Sequence, residues 1–349
     1  MNKHIIVGRW LLLGVILLVI QVVLGGITRL TGSGLSITEW KPLIGALPPI
    51  RETEWLELFE KYKQIAQFKY LNQDFTLSDF KFIFFWEWLH RNWARLISVV
   101  FLIPFIYFLQ KKMITRDMVP KLIGLFLLGF AQGLIGWIMV ASGLNDENNL
   151  YVSHIRLAIH FVSAIVLIGF TYWFALSLLI RTEDRISTEP GLKKLSITLL
   201  SLLAVQLIYG AFMAGLKAAT TAPTWPGING SFIPDGLFLN NFFHHPLNVH
   251  FVHRLLAFLI LIFFCYWYWQ AMRVRSSLYF LKYRFIPLLL VVLQILLGIL
   301  SVTNSVHLTR NGFGLFEYFA LFHQVVALCL CMSLVWVIYI LNRKVSKPF

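Results

Sequence analysis

Long apolar stretches alternate with short polar connections along the whole chain. Eight of these stretches carry almost no charge, and most reach the roughly 20 residues that a membrane-spanning helix needs. They cover residues 10–28, 96–110, 122–145, 157–180, 195–216, 255–272, 285–309 and 318–342. The second stretch is short, but extending it back through His90 to Asp79, a suitable N-cap, gives a long helix with a charged end. The pattern predicts an all-α polytopic membrane protein with eight transmembrane helices.

Composition and charge agree with this prediction. With 58% hydrophobic and 13% charged residues among 349, the chain is too apolar for a single soluble core. Basic residues gather in the loops after the second, fourth and sixth predicted helices and at the C-terminus: Lys111, Lys112, Arg116 and Lys121; Arg181, Arg185, Lys193 and Lys194; Arg273, Arg275, Lys282 and Arg284; Arg343, Lys344 and Lys347. The positive-inside rule therefore places both termini in the cytoplasm, N-in and C-in. This arrangement explains the net charge of +14 and leaves no aromatic-interleaved basic stripe for nucleic acid.

The longest connection is the first outer loop, residues 30–78. Its glycines and prolines predict turns, and Trp55, Phe59, Tyr62 and Ala66 then recur at helical spacing among charged residues. Such an amphipathic helix would either lie on the membrane surface or cap a pocket, and the sequence favours neither interpretation.

Histidines and glutamines recur at fixed offsets. His90 and His253 are 163 residues apart, as are His160 and His323. Each odd-numbered predicted helix carries Gln-x-x-x-Gly: Gln21 and Gly25, Gln132 and Gly136, Gln206 and Gly210, Gln294 and Gly298. We therefore predict two tandem four-helix bundles, residues 1–180 and 195–349, related by an axis along the membrane normal.

Each predicted half presents two histidines near the outer ends of its even-numbered helices. Two imidazoles facing each other across a bundle suit haem iron, which takes one axial ligand on each side of the macrocycle. Arg91 and Arg254 each follow a histidine and could pair with haem propionates, or extend to lipid headgroups. The glycines of the repeated motif favour close helix packing over direct contact with a cofactor. His250 and His253, three residues apart, or the neighbouring His244 and His245 could suggest zinc, but no thiol or carboxylate joins them at a suitable spacing.

One carboxylate distinguishes the two halves. Glu87, His90 and Arg91 share one helix face, where ionisable groups in an apolar segment usually mark a functional path. The residue 163 positions after Glu87 is His250, so the acid occurs only in the first half. Glu87 is a candidate catalytic group; alternatively it pairs with Arg91 or Lys81 to hold the helix end.

Five segments together resemble the haem A synthase family. They are Gly-Gly-Ile-Thr-Arg-Leu-Thr-Gly-Ser-Gly-Leu-Ser at 25–36, Glu-Trp-Leu-His-Arg at 87–91, Arg-Leu-Ala-Ile-His at 156–160, Val-His-Arg at 252–254 and His-Gln at 323–324. The resemblance covers nearly the whole chain and is to the cysteine-free branch found in proteobacteria and mitochondria. It implies oxidation of the C8 methyl of haem O to a formyl group, which gives haem A for cytochrome oxidase.

The resemblance also implies roles for individual residues. His253 and His323 would be the axial ligands of a bound haem b, and His90 and His160 would flank the iron of the substrate, haem O. Glu87 would be catalytic, together with His90 and His160. Arg91 and Arg254 would contact the haem groups, while the role of His250 is open.

Haem O synthase and an electron acceptor are the expected partners, and a homo-oligomer is left open. The expected location is a bacterial inner membrane, with the haem sites toward the extracytoplasmic side. Two other functions use the same histidines: a two-haem b-type cytochrome for electron transfer and a haem transporter. Glu87, which has no counterpart in the second half, argues against the cytochrome. The lack of evident broken helices argues against the transporter.

Overall fold

The structure is a computed structural model that describes residues 3–40, 44–144, 149–186, 189–239, 241–309 and 312–342. The predicted basic C-terminal residues Arg343, Lys344 and Lys347 lie outside this range. Eleven α-helices occur in the described residues: α1 (Lys3–Leu30), α2 (Glu52–Lys63), α3 (Ala66–Leu71), α4 (Leu77–Gln110), α5 (Val119–Leu144), α6 (His154–Leu179), α7 (Pro190–Gly215), α8 (Pro246–Ala271), α9 (Leu278–Tyr283), α10 (Ile286–Thr303) and α11 (Leu315–Ile340).

Eight spans in the described residues are long and apolar enough to cross a membrane. Seven are single helices, and the eighth runs through α9 and α10 from Leu278 to Thr303. The predicted number of transmembrane helices is therefore confirmed, as is the all-α fold: one isolated bridge, between Ile228 and Ser231, is the β pairing found in the described residues. The division into two bundles and the cytoplasmic placement of the termini stay predictions.

The second spanning helix begins earlier than its apolar stretch, as expected, but its N-cap is not Asp79. The N-cap is Thr76, whose hydroxyl accepts a hydrogen bond from the Asp79 backbone N–H at 3.3 Å. The Asp79 carboxylate in turn accepts from the Thr76 backbone N–H at 2.9 Å. Asp79 is thus the third residue of a capping box, and the predicted N-cap was wrong by one turn.

The outer helix α2 packs on the extended N-terminal end of α4. Phe59 and Tyr62 are buried against Phe80, with ring centroids 5.2 Å and 5.4 Å away. Trp55 meets Phe84 edge to face at 5.0 Å. Of the two interpretations of this amphipathic segment, the structure favours a helix that covers protein.

Four helices make the centre of the molecule. α1 packs against α4, α6 and α11, and α7 packs against α6, α8 and α11. The Gln324 side chain on α11 donates to the Val22 carbonyl on α1 at 2.9 Å, which ties the last helix to the first. α5 and α10 lie at the outside, where α5 contacts α6 and α10 contacts α11. The inner faces of all eight spans border a common interior space.

Candidate functional site

A cavity of about 970 Å³ lies between the eight spans, and its lining is mostly apolar. Every site residue predicted from the sequence borders it: Glu87, His90, Arg91, His160, His253, Arg254 and His323. His250 borders it as well. The fold therefore brings residues from four different helices to one space, whereas the sequence analysis predicted a separate pair of histidines in each half.

In the first half, each histidine is held by the glutamine of the repeated motif. Gln21 Nε2 lies 3.2 Å from His90 Nδ1 and donates to the His90 backbone carbonyl at 3.1 Å. Gln132 Nε2 lies 3.1 Å from His160 Nδ1 and donates to the His160 carbonyl at 2.7 Å. Each glutamine thus fixes an imidazole on a neighbouring helix, as outer partners of metal-binding histidines commonly do.

The second half repeats this contact with one difference. Gln206 Nε2 lies 3.4 Å from His253 Nε2 and donates to the His253 carbonyl at 3.0 Å. Gln294 Nε2 lies 3.1 Å from His323 Nε2, while His323 Nδ1 donates to the Gln294 backbone carbonyl at 2.9 Å. Because a carbonyl can only accept, His323 carries its proton on Nδ1 and keeps a lone pair on Nε2.

The glycine of each motif makes room for the imidazole. A Cβ added at Gly136 would lie 2.8 Å from His160 Cε1, and one at Gly298 would lie 2.9 Å from His323 Cε1. A Cβ added at Gly25 would lie 3.1 Å from His90 Cε1, and one at Gly210 would lie 3.3 Å from His253 Cε1. The motif is therefore a histidine seat, in which glutamine orients the ring and glycine admits its edge. This supports the packing interpretation of the glycines.

The second pair fits a bis-imidazole haem site. The rings of His253 and His323 have centroids 6.3 Å apart at an interplanar angle of 66°. If one metal ion bound both rings, each metal–nitrogen bond would be about 2 Å long. With the distance from nitrogen to ring centre added on each side, the two ring centroids would then lie about 6 Å apart. His323 Nε2 would supply one ligand atom once the Gln294 amide, which lies 3.1 Å from it, moves away, and His253 Nδ1 is buried without a hydrogen-bond partner among the described residues. These residues could hold a haem iron.

Glu87 is buried and fully hydrogen-bonded. Its carboxylate accepts from the Ser36 hydroxyl at 2.7 Å, the Ile37 backbone N–H at 2.8 Å and Arg91 Nη2 at 2.6 Å. Arg91 is therefore its ion-pair partner, whereas Lys81 lies over the Trp55 ring. The carboxylate also borders the cavity, so it both anchors the start of the outer loop and faces the space between the histidines.

Arg91 and Arg254 hold the outer loops through backbone carbonyls. Arg91 donates to the carbonyls of Ile37 and Glu39 at 3.1 Å and 3.3 Å. Arg254 reaches four carbonyls of its own loop, at Ala222, Thr224, Pro226 and Gly227. Its Nε also donates to His250 Nε2 at 2.9 Å, so His250 takes the place beside Arg254 that Glu87 takes beside Arg91.

Comparison with known proteins shows the family to which the chain belongs. The model of the COX15-CtaA family, described as a cytochrome oxidase assembly protein, matches residues 8–335. The chain belongs to the COX15-CtaA family. A curated relative from Parvibaculum lavamentivorans named heme A synthase is 47% identical over 283 residues, which are 79% of this chain and 80% of the relative. Another of that name, from Nitrosomonas eutropha, is 40% identical over 345 residues, 96% of this chain and 94% of the relative.

Two charged residues of this COX15-CtaA chain, one of them fully buried, were not singled out from the sequence. Arg29 borders the cavity, and its Nε is buried without a hydrogen-bond partner among the described residues. Glu317, at the start of α11, accepts from the backbone N–H groups of Thr309 and Gly314 at 3.1 Å and 2.8 Å. Both could have been found by the signal used for Glu87, a charge at the end of an apolar segment.

Proposed function

We propose that this chain is a haem A synthase that oxidises the C8 methyl of haem O to a formyl group. The observation that carries the proposal is the single cavity with two pairs of seated imidazoles, of which one pair has a carboxylate beside it. The two curated relatives named heme A synthase support it over most of the chain. Two imidazole pairs alone would also suit a two-haem cytochrome, but the carboxylate gives one pair a proton acceptor.

The second pair would hold a resident haem b. His253 and His323 would be its axial ligands, with the Gln206 side chain holding the His253 segment and the Gln294 backbone carbonyl holding the His323 ring through Nδ1. When bound, haem b supplies a redox centre that takes up electrons released from the substrate and passes them to an acceptor. Arg29, whose Nε has no hydrogen-bond partner among the described residues, is a better placed donor for a haem propionate than the loop-bound Arg91 and Arg254.

The first pair would hold the substrate. His90 and His160 would face haem O, and the methyl group would become a formyl group with water as the source of the oxygen atom. This change releases four electrons, which pass to the electron acceptor, and four protons, for which the carboxylate of Glu87 would be the first acceptor. Arg91 contacts that carboxylate at 2.6 Å and so fixes its position beside His90.

Orientation and partners complete the proposal. Both termini lie in the cytoplasm of a bacterial inner membrane, and the histidine pairs lie toward the extracytoplasmic side, as the distribution of Lys and Arg indicates. Haem O synthase would supply the substrate and a separate electron acceptor would reoxidise the haem b.

Pigment extraction from cells tests the proposal. The chain is expressed in a host that lacks haem A, together with haem O synthase, and the pigments are separated by chromatography and identified by mass. We expect haem A to appear with the chain and to be absent without it. Recovery of haem B alone in the purified protein, with haem O unchanged in the cells, would instead indicate an electron-transfer cytochrome.

A further inference from the structure

The cavity is deeper in the first half than in the second. Along α5, residues that border the cavity continue inward from Gln132 to Leu125, whereas along α10 none precedes Gln294 among the described residues. Along α4 the lining extends to Leu102, but along α8 it stops at Phe258. The extra space is a slot between α4 and α5 that begins beside His160 and runs inward for about 10 Å, given the rise of a helix.

Small residues open this slot where the second half has large ones. Gly129 and Gly133 on α5 border the cavity, and a Cβ at either would meet no atom within 4 Å. In register with the glutamine–histidine seats, their counterparts on α10 are Val291 and Ile295. Val291 is buried, and Ile295 packs against the same hydrophobic core. The two halves therefore differ by side chains that fill the slot in one and leave it open in the other.

The opposite wall shows the same difference. Ser98 on α4 borders the cavity, and its hydroxyl donates to its own helix at the Ala94 carbonyl, 3.1 Å away. The corresponding residue of α8 is Leu261, which packs against the core. α8 and α10 contact each other over more residues than α4 and α5 do. The slot is therefore also open on the side that faces the membrane, between α4 and α5. Its walls otherwise carry aliphatic and aromatic side chains such as Ile97, Phe101 and Phe126.

A buried acceptor stands in the same half of the cavity. Gln21 borders the cavity beside His90, and its Oε1 is buried without a hydrogen-bond partner among the described residues. The Oε1 atoms of Gln206 and Gln294 in the second half are buried in the same way, so the open slot, and not this acceptor, distinguishes the two halves. A ligand with a hydroxyl near the histidine pair and an apolar chain beyond it would satisfy this atom and fill the slot. Haem O has this form, because a hydroxyl marks the point where its farnesyl-derived tail joins the ring, and haem b has neither group.

We propose that the slot between α4 and α5 binds the isoprenoid tail of haem O and so selects haem O over haem b. This inference rests on the proposed function. The tail would enter from the membrane between the two helices and lie along Gly129 and Gly133. The closed counterpart at Val291 and Ile295 would restrict the second half to a haem without a tail.

The test fills the slot with the residues of the other half. The variants are Gly133→Ile, Gly129→Val and Ser98→Leu in the full chain, purified in detergent with its haem b. Gly124→Val is the matched control, because Gly124 lies on the same helix in open space but does not border the cavity. Haem O and haem b are titrated separately into each protein, with the low-spin spectrum of the resident haem b as the measure of folding.

We expect wild type and Gly124→Val to bind added haem O at least tenfold more tightly than added haem b. Each slot variant should lose that preference and keep its resident haem b. If Gly133→Ile loses the resident haem b, Ser98→Leu, on the other wall, decides the result. Equal binding of haem O and haem b by wild type, or unchanged haem O binding in Ser98→Leu, would overturn the proposal. A wild-type protein that prefers haem O but forms no haem A would refute the proposed function and leave the slot assignment standing.

Discussion

Glu87 and Arg91 offer the sharpest test of how the first half works, because the same carboxylate anchors a loop and borders the cavity. The ion pair is short, 2.6 Å, with side-chain exposures of 3% for Glu87 and 21% for Arg91. Removing one partner of a buried pair costs about 3–5 kcal/mol, whereas exposed pairs contribute about 0–1 kcal/mol. For this partly exposed pair we expect Glu87→Gln to lower the free energy of unfolding by about 2–3 kcal/mol, in the range of those two limits.

A double-mutant cycle separates the two roles of the carboxylate. Glu87→Gln, Arg91→Gln and the double variant are compared by thermal denaturation in detergent and by the rate at which haem O disappears. Because the double variant leaves no uncompensated charge, it should recover about 2 kcal/mol relative to the sum of the single variants. The rate of haem O conversion should not recover in the double variant, because the carboxylate is absent from it.

Arg91→Gln keeps the carboxylate, so it should retain measurable turnover. The double variant should be slower than Arg91→Gln by about 100-fold or more, the usual range for loss of a general base. If the double variant and Arg91→Gln form haem A at the same rate, Glu87 acts only as a partner of Arg91, and the proposed proton transfer is wrong.

The remaining predictions concern the histidine seats, the topology and the outer helix. His253→Leu or His323→Leu should remove most of the resident haem b, measured by pyridine haemochrome, while His90→Leu should keep it; the reverse result would exchange the roles of the halves. Gly298→Val should displace the His323 ring and alter the low-spin spectrum, whereas Gly136→Val should leave that spectrum intact and impair haem O binding at His160. A cysteine at Asn149 should react with an impermeant thiol reagent from outside and one at Glu183 only from the cytoplasm; the opposite pattern would invert the topology. Hydrogen bonds to Glu39 and Glu57 raise the pKa of Lys61 to about 12, so its ion pairs should persist above the ordinary lysine pKa of 10.5 and be lost only as the pH rises through about 12, observed by NMR as the pH at which the labelled Lys61 side chain titrates.

The hydrophobic pattern was sufficient for the spans but not for their ends. α8 begins at Pro246, nine residues before the charge-free stretch that predicted it, because the helix includes His250, His253 and Arg254. Proline at the first turn starts this helix, since its fixed φ suits that position. Charge-free stretches therefore underestimate a membrane helix whose functional residues lie at one end.

The site was predictable as a list of residues but not as a set of contacts. Equal offsets of 163 residues identified His90, His160, His253 and His323 without any structure. That Gln21 seats His90 follows from the packing of α1 on α4, which no local pattern specifies. The partners of Glu87 in the outer loop and the open glycines of α5 likewise depend on how separate helices meet.

The conversion of haem O by the purified protein is the measurement that tests the central claim most directly. The wild-type chain with its haem b is supplied with haem O and a soluble electron acceptor, and pigments are extracted over time and identified by mass. We predict that the haem O methyl is first hydroxylated and then becomes the formyl group of haem A, and that Glu87→Gln stops before haem A. Recovery of unchanged haem O from a protein that still carries haem b and reduces the acceptor would contradict the account.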